Sequence, residues 1–201
     1  MRTATGSIRV MLVALLATFL FVGVWFFFHE QDNGSPVNQN GPGTNERISE
    51  KGPMIGGAET ESDKTIRENL VQSKDHTTFV VLMQTTSLAS LLNEGGPVTI
   101  FAPTNIAFGK YPSDAFQVIV KPENKSMLEE LFKYHVVPGE YRTSNFKEGM
   151  KLKTIQGGEL TLTQRDGQWW INGTTKIETA DITSNNGVVH SIDSVLASSD
   201  Q

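Results

Sequence analysis

Hydrophobic and polar positions along the chain follow three successive rhythms. From Val10 to Phe28 (VMLVALLATFLFVGVWFFF) the chain is continuously uncharged and almost wholly apolar. At about 1.5 Å per residue the run extends roughly 28 Å, close to the ~30 Å hydrocarbon layer a spanning helix must match. One transmembrane helix is therefore predicted at residues 10–28. A cleaved signal peptide has a shorter apolar region and a small-x-small cleavage site. Here the run ends in Trp25, Phe26, Phe27 and Phe28, followed by His29, Glu30, Gln31 and Asp32. The pattern thus predicts an uncleaved anchor, with secretion after cleavage as the alternative. Arg2 and Arg9 precede the run and acidic residues follow it. The positive-inside rule then keeps residues 1–9 in the cytoplasm and exports the remainder, to a periplasm or the cell surface.

The second rhythm is an absence of periodicity. Residues 29–53 turn to Gly, Pro, Asn, Ser and Gln, with almost nothing large and apolar to bury. They read as a flexible linker with a reach of roughly 25–30 Å. A folded module is predicted over 54–197, leaving a tail at 198–201. It begins with helical spacing: Ile66 and Leu70 lie four apart behind a cap at Ser62 or Asp63, TTFVVLMQ forms a second helix, and Leu88, Leu91 and Leu92 mark a third that stops at Gly95, Gly96 and Pro97. VTIFAP reads as a buried strand ended by Pro103, with Thr104 capping the helical turn NIAF. Between Pro122 and His135, residues Leu128, Leu131, Phe132 and His135 fall on one helix face. The last third alternates with period two and is cut by Gly157–Gly158, Asp166–Gly167 and Asn172–Gly173, pairs that favour tight hairpins. Helices followed by hairpins define an α+β fold in one domain.

Composition removes several function classes. With no Cys there is no disulfide, thiolate metal site or Cys nucleophile. A net charge of −5 without a basic cluster argues against nucleic acid as a partner. No zinc-protease helix, serine elbow, phosphate loop or dinucleotide loop is present, so neither a catalytic residue, a metal nor a cofactor is expected. In GVVHSIDSVL strand alternation places Val188, His190, Ile192 and Leu196 on one face and Ser191 and Asp193 on the other. His135 and His190 both lie on apolar faces. There, imidazoles satisfied by neighbours are preferred to metal ligands or general bases, although the helix C-terminus favours a protonated His135. Trp169 and Trp170 are adjacent strand residues pointing to opposite faces, which predicts unequal burial and one ring available to a partner, as for stacking on a sugar.

Three segments carry a resemblance. TIFAPTNIAF at 99–108, KYHVVPG at 133–139 and NGVVHSIDSVL at 186–196 resemble the two signature segments and the intervening Tyr-His motif of the fasciclin (FAS1) family, in family order and spacing. The likeness extends from Thr65 to Leu196. Phe101, Pro103, Thr104, Asn105, Phe108, His190 and Asp193 fall on the signature positions. Ser191 occupies a place usually apolar, and Ile106 one usually polar. The resemblance implies a wedge of about seven strands packed with several short helices, used for adhesion rather than catalysis. It also places on Tyr134 and His135 the motif implicated in integrin binding in animal relatives.

The expectation is a membrane-tethered, extracytoplasmic adhesion module recognising a surface, matrix or envelope protein or polysaccharide, with Tyr134, His135, Trp169 and Trp170 as candidate contacts. The oligomeric state is left open. A cell-envelope enzyme with an unrecognised hydrolytic site, or a ligand-sensing or scaffolding domain serving a membrane partner, are the competing readings.

Overall fold

A computed structural model describes residues 49–93 and 95–197. The anticipated membrane helix at 10–28, the segments on either side of it as far as residue 48 and the tail at 198–201 lie outside the described residues. Among the described residues no helix is long and apolar enough to cross a membrane.

Helix α1 (Ile66–Gln72) starts at Thr65, not at the anticipated Ser62 or Asp63. The sequence TIRE forms a reciprocal capping box: the Thr65 hydroxyl accepts the Glu68 N–H, and the Glu68 carboxylate accepts the Thr65 N–H at 2.8 Å. Ser62 and Asp63 instead hold the incoming chain, accepting from the Glu50 N–H and the Ser49 hydroxyl. That chain already pairs at Lys51↔Glu61. Helices α2 (Thr77–Gln84) and α3 (Ala89–Asn93) lead into strand β1 (Val98–Pro103), and Thr104 caps α4 (Asn105–Lys110) by accepting the Ala107 N–H. Helix α5 (Ser113–Ile119) was not anticipated, because seven residues between two prolines offer too few apolar repeats to declare a period. The expected helix over 122–135 begins as a 3-10 turn, Pro122–Asn124, and continues as α6 (Lys125–Tyr134), with His135 as its C-cap.

The remaining strands are β2 (Val136–Pro138), β3 (Lys151–Lys153), β4 (Glu159–Arg165), β5 (Gln168–Ile171), β6 (Thr175–Ser184) and β7 (Gly187–Ile192). They form one seven-stranded sheet in the order β2-β1-β7-β6-β5-β4-β3. Every pair is antiparallel except β1 with β7, whose register runs from Val98↔Gly187 to Pro103↔Ile192. The turn pairs do what their chemistry allows: Asp166 and Gly167 adopt φ 50° and 77°, and Asn172 and Gly173 φ 51° and 70°.

All residues of β1 and β7 are buried, since both faces of this central pair are covered. On one side Ile100, Ala102 and Val189 pack with Leu70, Phe79 and Phe132 from the helices. On the other, Phe101 and Ile192 join Leu152, Leu160, Leu162, Ile171 and Ile177 from the hairpins. The β3–β6 portion therefore turns one face to this second core and leaves the opposite face to solvent. Strand β7 stops at Ile192, short of the anticipated continuation through Leu196: the Asp193 N–H still donates to the Lys176 carbonyl at 3.1 Å, but the Asp193 carboxylate, in place of a backbone carbonyl, accepts the Lys176 N–H at 2.9 Å.

Candidate binding surface

The signature residues are spent on joining elements. Asn105 ties α4 to α2: its side-chain amide donates to the Lys74 carbonyl at 2.8 Å, and its oxygen accepts the Thr78 N–H at 3.0 Å, satisfying an otherwise free donor at that helix start. Asp193 adds an ion pair with Lys110 at 3.1 Å, and these hydrogen bonds hold its carboxyl below the usual range against the opposing effect of partial burial. Phe101 is fully enclosed, Pro103 is the last residue of β1, and Phe108 packs on Phe116 with ring centroids 5.7 Å apart. Ile106, by contrast, is 74% exposed.

His135 and His190 are both wholly buried. The Leu131 carbonyl, 2.8 Å from His135 Nδ1, can only accept, so Nδ1 carries the proton and Nε2 accepts the Leu196 N–H at 3.0 Å. The ring thus fastens the end of α6 to the end of the domain. His190 uses the other tautomer: Nε2–H donates to the Tyr141 carbonyl at 2.8 Å, and Nδ1 accepts the Asp181 N–H at 3.2 Å. That bond pins the bulge in β6, where Asp181 sits at φ 60° and its carboxylate takes the N–H and hydroxyl of Thr143. Phe101 stacks on the His190 ring at 5.4 Å and Phe146 lies 5.3 Å away.

Burial pushes His135 down to about 4, outweighing its bond to the Leu131 carbonyl, and it pushes His190 down as well. The protonated His135 anticipated at a helix C-terminus is therefore corrected: desolvation exceeds the attraction of the last carbonyls.

A third buried histidine escaped the sequence reading. His76 precedes α2, with Nδ1 2.8 Å from Ser73 Oγ and Nε2 3.0 Å from Ser191 Oγ; burial pushes it too down to about 4. This contact accounts for the departure at Ser191, whose hydroxyl faces the helices and meets an imidazole there. Nothing in the spacing of His76 and Ser191, 115 residues apart, could have paired them. Among the described residues no three His, Asp or Glu side chains converge as metal ligands.

Tyr134 is 5% exposed and serves as a strut. Its hydroxyl donates to the Glu159 carbonyl at 3.1 Å, and its ring lies so near Gly158 that an added Cβ would sit 2.7 Å from Tyr134 Cε2. Neither Tyr134 nor His135 is open to a partner in this conformation. Trp169 and Trp170 do point to opposite faces, and both are partly buried. Trp169 reaches the rim of the second core, edge-on to Phe146 at 5.3 Å. Trp170 lies on the outer face with the Arg165 guanidinium 5.5 Å above its ring.

Register defines that outer face. Trp170 is opposite Thr163 on β4 and Lys176 on β6, while Lys151 on β3 is opposite Thr161. Trp170 Nε1 and Thr163 Oγ1 are both covered yet have no hydrogen-bond partner among the described residues. Two concavities lie elsewhere: an apolar groove of about 400 Å³ beside Val81, Phe116 and Val120, and a polar cleft of about 250 Å³ beside Pro97, Glu140 and Asn185.

Seven strands wedged against short helices, with the two signature strands paired in parallel at the centre, define the class. Residues 74–198 match the fasciclin domain, and the chain belongs to the fasciclin domain family. It is 35% identical over 148 residues to protein sll1483 of Synechocystis, covering 74% of this chain and 81% of that protein. It is 32% identical over 141 residues to human periostin, covering 69% of this chain but 16% of periostin. Among solved structures it is similar to a FAS1 domain pair from the insect cell adhesion molecule fasciclin I, with a TM-score of 0.62 over 76% of this chain and 67% of that one; at 14% identity this likeness concerns the fold alone.

Proposed function

We propose that the chain is a membrane-tethered, extracytoplasmic adhesion module that recognises a surface, matrix or envelope protein or polysaccharide and catalyses nothing. The observation that carries this reading is where the polar chemistry lies. Interior imidazoles are neutral and occupied at both ring nitrogens. The polar atoms left without partners, on Thr163 and Trp170, lie on an outward sheet face. Support also comes from fasciclin I, described as a cell adhesion molecule. Tethering rests on the apolar run at 10–28; of the anticipated linker over 29–53, residues 49–53 are hydrogen-bonded to the domain, and those before them would let it stand clear of the bilayer. In this reading Trp170 supplies the contact, while Trp169 on the opposite face, Tyr134 and His135 hold the frame behind it.

The test reconstitutes the full chain in liposomes and offers it immobilised polysaccharides and envelope proteins alongside a panel of hydrolase substrates. Saturable retention without turnover is the expected result. Turnover of any substrate that disappears on His76→Ala or His190→Ala, in variants that remain folded, would overturn the reading in favour of an enzyme.

A further inference from the structure

The outer face of β3–β6 differs in charge from the chain that carries it. The protein is net −5, yet Lys151, Lys153, Arg165 and Lys176 all project from this face around Trp170. Three carboxylates share it, Glu159, Glu178 and Asp193; Glu159 is already engaged by Lys151 at 3.0 Å, and Asp193, opposite Lys176 in the register, by Lys110 at 3.1 Å. Among the described residues Lys153, Arg165 and Lys176 have no ion-pair partner. At the centre are two covered polar atoms without hydrogen bonds, the Trp170 indole N–H and the Thr163 hydroxyl, on directly opposed residues of β4 and β5. A covered donor with no acceptor is costly, and native proteins seldom keep two side by side.

We propose that this face binds an acidic polysaccharide, a chain of sugars bearing carboxylates or sulfates. The inference rests on the adhesion reading and names both its ligand class and its contact. Three features select this occupant together. The indole offers the flat apolar surface on which the C–H face of a pyranose stacks. Arg165 and Lys176 flank the ring from the neighbouring strands and can pair an acidic group on either side of it, Arg165 by a planar fork and Lys176 by a point charge. The indole N–H and the Thr163 hydroxyl match ring hydroxyls, which both donate and accept. The Arg165 guanidinium now over the ring makes a contact weak enough to be exchanged for an anion, and its departure uncovers the indole. Lys153 extends the cationic strip along the sheet, so a polymer gains from successive acidic residues where a monosaccharide would not. The apolar groove is lined by uncharged residues and the polar cleft by none that is cationic, its one charged residue being Glu140, so neither has this complementarity.

The test uses the full chain in a nonionic detergent with four probes: polygalacturonate, dextran sulfate, neutral dextran of similar length and polyglutamate. Titration is followed by tryptophan fluorescence and repeated at raised salt. Binding to at least one acidic polysaccharide is expected, weakening by about tenfold or more in the Arg165→Gln/Lys176→Gln double variant and at high salt, with an unchanged melting temperature. Trp170→Phe, which keeps a ring, should bind less tightly while remaining folded, and Thr163→Val should show a smaller loss. Equal binding of neutral dextran, tighter binding of polyglutamate than of either acidic polysaccharide, full retention in the double variant, or no binding to any probe would each overturn the proposal. If another envelope component binds and the double variant still takes it, this face is wrong while the adhesion reading stands. If nothing at all is bound, both fall.

Discussion

The central β1–β7 pair and the outer face of β4–β6 belong to one sheet but treat polar groups in opposite ways. Between β1, β7 and their coverings, each polar side chain is closed off: His190 uses both ring nitrogens, and Ser191 meets His76. On the outer face, Thr163 and Trp170 keep polar atoms that have no partner among the described residues, beside cations that have no ion-pair partner there. A low-dielectric interior tolerates imidazole only when it is satisfied and neutral, so those residues are committed to the fold. On the outer face those two atoms are covered as well, so their unmet hydrogen bonds are costly until a partner reaches them. In this chain the signature residues thus serve the fold, and under the proposed reading the hairpin face carries the contact.

Acid should erode the interior most. His76 and His135 fall from the ordinary 6.5 to about 4 in the folded protein. Between those values the unfolded chain binds more protons than the folded one, so stability is full above pH 6.5 and declines as the pH approaches 4. A depression of that size corresponds to about 3 kcal/mol for each histidine. Urea titrations at pH 7 and pH 4.5 should show a loss of several kcal/mol, most of it before carboxylates such as Asp193 begin to protonate; equal midpoints would show that the imidazoles are not buried and neutral.

His190→Ala comes next. It strands the Asp181 N–H and the Tyr141 carbonyl and empties the space between Phe101 and Phe146, with an expected cost of about 3–5 kcal/mol by chemical denaturation. Gly158→Ala should cost about 1–3 kcal/mol, because the new methyl meets the Tyr134 ring and one of the two must shift. Tyr134→Phe removes the hydroxyl's bond to the Glu159 carbonyl and the longer one it accepts from the Asn172 amide, and should lower stability by about 0.5–1.5 kcal/mol. The smallest effect is expected on the outer face: Lys176→Gln should change stability by less than about 0.5 kcal/mol. A large destabilisation there would dissolve the distinction between the two regions.

The sequence was most legible where one period or one turn pair controlled the outcome. VTIFAP declared a buried strand by its apolar run, and Asp166–Gly167 declared a hairpin because both residues tolerate positive φ. Short elements were lost: β2 and β3 have three residues each and take their identity from the strands beside them. The cap of α1 was misplaced because Ser62, Asp63 and Thr65 are all competent, and only the return bond from Glu68 decides among them. For the site, two adjacent tryptophans announced opposite faces, but the cluster of Thr163, Arg165 and Lys176 around Trp170 depends on cross-strand register, which a single sequence does not display. Tyr134 and His135 drew notice as a motif, and their spacing gave no sign that one would become a strut and the other a clasp.

The most direct test of the contrast between closed interior and open face is an NMR titration of the full chain, labelled with 15N, against an acidic polysaccharide. The account predicts that the Trp170 indole N–H resonance moves as ligand is added while the ring nitrogens of His76, His135 and His190 stay unchanged. Movement of the histidine signals with a silent Trp170 would contradict it.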